Sequence, residues 1–377
     1  MTERGGPLRL GIVLGALVLP AAGAAVAQEP WRQEWTKTLD AARKEGVVAV
    51  SGPPGPSERE AVVTGWQKAF PDIRIEYTGA RGTQILSKVV RERESGLYNW
   101  DIVIASTDPT VFMLPPINAL APLRDALIDP AVSDDKEWVG GFDQGFVDAA
   151  RKFFYSATGS AGMSLGYVNR DCVSREAFSK SDDLLKPEFK GKIASHDPLL
   201  PGSGSRSTWR LTVDKGDAWL KDLYTGQDVT FSRDYRQLTE WLVGCGKPIV
   251  IGLPSDAFLQ MQKAGLGKNV EALTGPAYFG DHGLGWAGAN DDIGWYNNAP
   301  HQNAAKLFIN LYLSRDFQQL WASSNHTDSR RIGTKPGDPD PNTGLNPKLI
   351  YAAWGDEASI RQVKALQEKI MGWGVVQ

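Results

Sequence analysis

Only two cysteines and four histidines occur among 377 residues, and the net charge is −3 at pH 7. Cys172 and Cys245 form no C-x-x-C pair and no Cys/His cluster, which argues against metal or thiol redox chemistry. His196, His282, His301 and His326 are scattered without metal-ligand spacing. Basic residues show no excess, so the chain has no field for nucleic acid or anionic lipid. After residue 27 no apolar run is long enough to cross a bilayer.

The N-terminus carries what the rest lacks. Arg4 and Arg9 precede an apolar stretch, Gly11 to Leu19, and Ala25-Val26-Ala27 stands before Gln28. This layout predicts a secretory signal peptide, residues 1–27, cleaved after Ala27, and hence export to the periplasm. No Cys follows the apolar core, so lipid attachment is not expected. Losing Arg4, Arg9 and Glu3 from 41 basic and 44 acidic side chains leaves 39 and 43, a net charge near −4. In an oxidising compartment Cys172 and Cys245 are able to pair, or each to be buried as a small apolar group; spacing does not choose between these.

Residues 28–377 suffice for two lobes with separate cores. From Trp31 a helix repeats apolar residues at Trp35, Leu39 and Ala42 and stops at Gly46. Val47 to Val50 reads as a buried strand leading into a Gly/Pro loop. Ser57 and Glu60 have capping-box spacing ahead of a helix with Val62, Val63, Trp66 and Phe70 on one face. Strands are expected at Ile73 to Tyr77 and Asp101 to Ala105, with Thr83 capping the helix between them. This β-α-β-α-β order implies a parallel sheet. A second α/β block has strands at Ile193 to His196, Val229 to Ser232 and Ile249 to Gly252, with a Gly/Ser-rich loop from Pro198 to Ser207. Two such blocks predict two lobes around a cleft.

Several segments resemble one family. "EWTKTLDAARKEGVVAVSG", "WDIVIAST", "DLLKPEFKGKIASHDP" and above all "APHQNAAKLFINLYLSRDFQQLW", followed by "DSRRIGT", are similar in order to bacterial extracellular solute-binding proteins of the ferric-iron, thiamine and phosphonate transporter group. The similarity runs from about Trp31 to about Gly333. It implies an α/β fold of the class II periplasmic-binding-protein kind, each lobe a mainly parallel sheet flanked by helices. It also implies a ligand in the cleft, delivery to an inner-membrane ABC permease, and no cofactor. Residues 28–160 plus 271–320 are expected in the N-terminal lobe, and 161–270 plus 321–377 in the C-terminal lobe. Iron-binding members usually place two adjacent tyrosines after the strand matching Ile249–Gly252; here Leu253-Pro254-Ser255-Asp256 stands there.

In open parallel sheets, ligands bind beyond the carboxyl ends of the strands. Those ends carry Ser51, then Arg81, Gly82 and Thr83, then Thr107 and Asp108. In the second block they carry Ser203, Gly204, Ser205 and Arg206, and Ser255. Backbone N–H groups, hydroxyls and a guanidinium at a helix start suit a phosphate, phosphonate or carboxylate. The expected function is therefore capture of a small anionic solute by a monomeric, non-enzymatic importer component. Two alternatives are a thiaminase-like transferase with a nucleophilic Cys, and a ligand sensor for a signalling receptor. The transferase needs a cleft cysteine, yet Cys245 precedes the amino end of a strand and Cys172 has no obvious partner. Tyr278, Trp286 and Trp295 lie where the chain is expected to cross between lobes, as ligand stackers or core residues.

Overall fold

The computed structural model describes residues 29–159, 164–200, 202–279, 282–286, 291–337, 350–353 and 355–375. The expected signal segment and cleavage site lie outside these residues. The chain begins with α1 (Pro30–Glu45), β1 (Val47–Gly52), α2 (Pro56–Ala69), β2 (Arg74–Gly79), α3 (Gly82–Glu94), β3 (Ile102–Ala105) and α4 (Thr107–Met113). Short strands β4 (Leu120–Ala121), β5 (Phe154–Tyr155) and β6 (Thr158–Gly159) follow. The second block contains β7 (Gly166–Asn169), β8 (Ile193–His196), α5 (Ser203–Gly226), β9 (Thr230–Ser232) and α6 (Tyr235–Val243). It continues with β10 (Ile249–Ile251), α7 (Ser255–Lys263), β11 (Val270–Ala272) and α8 (Pro276–Phe279). Last come β12 (His282–Trp286), β13 (Asp292–Tyr296), α9 (Gln302–Tyr312), α10 (Arg315–Asn325), β14 (Asp328–Ser329), β15 (Ile350–Ala353) and α11 (Glu357–Gly372).

Two main sheets result, ordered β2-β1-β3-β13-β4 with β5 also on β13, and β11-β7-β10-β8-β9. β2, β1 and β3 are parallel, with Val50 opposite both Tyr77 and Ile102. β8 is parallel to β10 and β9. The returning strand β13 is antiparallel to β3, and β7 is antiparallel to β10 and β11. Each sheet is thus mixed, with a parallel trio at one edge. Crossover helices make the trios; strands arriving from the other lobe run the opposite way.

Local chemistry explains the elements. Gly46 takes a left-handed conformation (φ 73°) and donates its N–H to the Ala42 carbonyl at 2.9 Å, closing α1. Trp66 is fully buried in α2, and its indole N–H reaches the Ile73 carbonyl at 2.7 Å, fastening that helix to the approach of β2. Burying a side chain of this size contributes roughly 2–3 kcal/mol. Two expected caps are not formed. α2 starts at Pro56 after Gly55, so Ser57 lies inside the first turn and its hydroxyl donates to Glu58. α3 starts at Gly82 with Arg81 as N-cap, placing Thr83 one residue inside. Proline and glycine start helices without a capping side chain, which moves both starts upstream.

The lobe boundaries also shift. Trp321 packs in the first core beside Trp66 and Phe308, and β14 pairs with β6. Arg330 is wholly buried there, donating to the Ser156, Val139 and Gly141 carbonyls. Residues 321–337 therefore pack with the first lobe. β11 pairs with β7, and Leu273 and Tyr278 lie in the second core, so 271–279 packs with the second. Pairing partners decide these assignments, and composition does not change at either crossing.

Candidate functional site

At one edge of the first sheet, β1, β2 and β3 end together and lead into the starts of α2, α3 and α4. In the second sheet, β8, β9 and β10 lead in the same way into α5, α6 and α7. Each edge gathers three helix N-termini, whose first N–H groups lack intrahelical partners and carry partial positive charge.

The second edge is the more completely built. The expected loop at 203–206 is already the first turn of α5, and Gly202 is its N-cap with φ 127°. Gly204 packs against the end of β8: a Cβ there would stand 2.6 Å from the His196 carbonyl oxygen and 2.7 Å from His196 Nδ1. Only glycine lets the helix start approach the strand so closely. The Ser203 hydroxyl donates to the Gly252 carbonyl and lies 3.1 Å from the Tyr235 hydroxyl. The Ser205 hydroxyl donates to the Gly202 carbonyl at 3.1 Å. These hydroxyls thus give their protons to backbone carbonyls. Arg206 is partly enclosed, and burial pulls its guanidinium below the ordinary value, opposed by nearby Tyr235. Arginine remains charged despite such a shift. Ser255 opens α7, but its side chain lies outside the described residues.

The first edge departs further from expectation. Ser51 is fully enclosed and its hydroxyl donates to the Ile102 carbonyl at 3.1 Å. It lies inside the sheet, one residue short of the strand's end, with no exposed surface. Thr107 is also buried, donating to the Asp292 carboxylate. Arg81, Thr83 and Asp108 are exposed. A Cβ on Gly82 would meet Ser106 Oγ at 3.6 Å and Pro109 at 3.7 Å, so 81–83 and 106–109 adjoin. Tyr278 and Trp295 are core residues, and the Trp286 side chain lies outside the described set.

Sequence reading missed Tyr235 and His196. Their rings stack at 4.5 Å, one from the start of α6 and one from the end of β8. Position just beyond a strand was the available signal, but Arg233-Asp234-Tyr235 lacks the glycines that drew notice to 203–206. His196 is 4% exposed, and Nδ1 has no hydrogen-bond partner among the described residues. Burial lowers its pKa below 6.5, with Asp197 opposing. A group charged more easily when unfolded contributes stability that is present above about pH 6.5 and lost as pH falls. Melting temperature should therefore drop between about pH 7 and pH 5. His196→Phe, which keeps the ring stack, should show a shallower drop; an identical slope would contradict the buried neutral imidazole.

His301 has a structural role. Its backbone N–H and Nδ1 meet the Asp101 carboxylate at 2.8 and 2.9 Å, and Asp101 also receives the Ala49 N–H at 2.7 Å. Burial raises the Asp101 pKa despite these donors. Among the described residues, no cluster of three or more His, Cys, Asp or Glu is placed to hold a metal ion.

Both cysteines are bonded to each other, with Cα atoms 6.1 Å apart. The Asn169 amide donates to the Leu242 and Val243 carbonyls at the end of α6, bringing the turn after β7 beside Cys245.

Residues 49–319 match the family described as bacterial extracellular solute-binding protein. The chain belongs to that family. Among solved structures it is similar to iron-bound HitA from Pseudomonas aeruginosa, at 15% identity and TM-score 0.54, covering 86% of this chain and 99% of that one. It is also similar to Trichodesmium FutA (IdiA) in complex with iron and citrate, at 13% identity, TM-score 0.63, and coverage of 88% and 100%. Mannheimia haemolytica ferric iron-binding protein A in an open conformation gives 17% identity, TM-score 0.63, and coverage of 88% and 99%. At these identities the likeness is one of fold. Comparison with curated proteins finds no match.

Proposed function

We propose that this chain is the periplasmic, monomeric solute-capturing component of an ABC importer, taking a small anionic solute between its lobes. The observation that carries this reading is the start of α5, where Arg206 and the first-turn N–H groups adjoin Tyr235 at the carboxyl edge of the second sheet. Export with cleavage after Ala27 agrees with the family and with a disulfide, a bond that persists in oxidising compartments. N-terminal sequencing of the exported protein should begin at Gln28. A cysteine-dependent transferase is disfavoured because both thiols are joined in the second lobe. The deciding experiment is a thermal-shift screen of inorganic and organic anions against matched cations and neutral solutes. Stabilisation by anions alone supports the reading, and stabilisation only by cations or neutral solutes refutes the anion assignment.

Ferric iron held by a phenolate pair is not expected, since Leu253-Pro254-Ser255-Asp256 occupies the place where iron-binding relatives carry adjacent tyrosines. Titration with ferric iron should give no strong visible phenolate charge-transfer band. A band abolished by a Tyr→Phe change would overturn this.

A further inference from the structure

α11 touches both lobes, and its two halves are fastened differently. At its start, the Glu357 N–H donates to the Val147 carbonyl at 2.7 Å, and the Glu357 carboxylate receives the Ala149 N–H at 2.9 Å. One turn on, Arg361 and Lys364 lie over the Phe112 ring at 4.9 and 4.4 Å, and Lys364 Nζ is 3.8 Å from Asp108. Val147 and Phe112 belong to a first-lobe core. The second half is held by the other lobe. Leu366 and Ile370 are buried in its core, Gln367 donates to the Pro198 carbonyl at 3.1 Å, and Lys369 pairs with Asp217; from the first half only Gln362 reaches that lobe, accepting from the Trp209 indole at 3.2 Å.

The first-lobe helix it grips is α4, which begins at Thr107 and Asp108; the second-lobe helix is α5, which begins at Ser203. A rigid helix spanning both fixes the distance between the two helices that carry the opposed halves of the candidate site. We propose that α11 is a strut setting the resting separation of the lobes, with Glu357, Arg361 and Lys364 as positioning residues on its first-lobe half. The idea rests on the reading that the solute sits between lobes, for only then does separation govern affinity. Loss of the first-lobe grip widens the ligand-free cleft, and a binding-competent state that is populated less binds its ligand more weakly.

The test uses the full exported protein and the triple variant Glu357→Ala/Arg361→Ala/Lys364→Ala, which leaves Leu366, Ile370 and Gln367 in place. Phe112→Ala removes the grip from the α4 side, as a second variant should the first not fold. Arg236→Ala, an exposed change on α6 away from every contact of α11, is the control. Small-angle scattering without ligand should show a radius of gyration larger by about 1 Å in the first two and unchanged in the control. Unchanged values in all three overturn the strut. Calorimetry with inorganic phosphate as probe separates the two ideas. A severalfold weaker association in the expanded variants supports both, whereas expansion with unaltered phosphate affinity leaves the strut standing and sinks the inter-lobe site.

Discussion

Replacing Cys172 and Cys245 together by serine is expected to lower stability by about 4 kcal/mol, the largest effect anticipated for any change outside the cores. The bond joins residues 73 apart in sequence. Closing a loop of that length removes a large part of the freedom of the unfolded chain, and the effect grows with the logarithm of loop size. Both half-cystines are exposed, so their removal opens little cavity in the folded state. The change should therefore act chiefly through the unfolded ensemble. Urea unfolding of the oxidised protein, the reduced protein and the double serine variant provides the measurement. Reduction and substitution should agree, and a shift under about 1 kcal/mol would show that the crosslink constrains little. The second lobe should respond more than the first, because the crosslink joins the turns that follow β7 and α6, both in that lobe.

Arg206→Ala is expected to weaken anion binding by roughly ten- to a hundredfold, since a charge-assisted hydrogen bond contributes about 1.5–3 kcal/mol. The guanidinium sits in the first turn of the helical segment that precedes the break at Gly216 (φ 84°), where its charge adds to that of the helix N-terminus, and partial enclosure limits screening by water. Ser203→Ala should do less than the sequence alone implies. Its hydroxyl donates to Gly252, so the change removes a link between α5 and β10 instead of a ligand donor. Calorimetry with an anion identified by the thermal-shift screen checks both variants. Equal affinity in wild type and Arg206→Ala would place the ligand away from α5.

Much was legible in the sequence by itself. The 3.6-residue spacing of Trp35, Leu39 and Ala42, the apolar runs at 47–50, 102–105 and 249–251, and the punctuation by Gly46 and the Pro/Gly loops fix elements through contacts a few residues apart. Order along the chain then places Arg81, Asp108 and Arg206 beyond strand ends, because that depends only on β-α alternation.

Tertiary structure decided what depends on partners distant in sequence. Whether a hydroxyl faces a ligand or a carbonyl is set by a neighbouring strand, and so Ser51, Thr107 and Ser203 turned inward toward Ile102, Asp292 and Gly252. The same holds for the cysteine pair, brought together by Asn169 at the end of α6, and for the assignment of 321–337 to the first lobe through β6. The bridging of α4 and α5 by α11 belongs here too, since the amphipathic pattern of 357–372 says that one face is buried but not that two lobes share it.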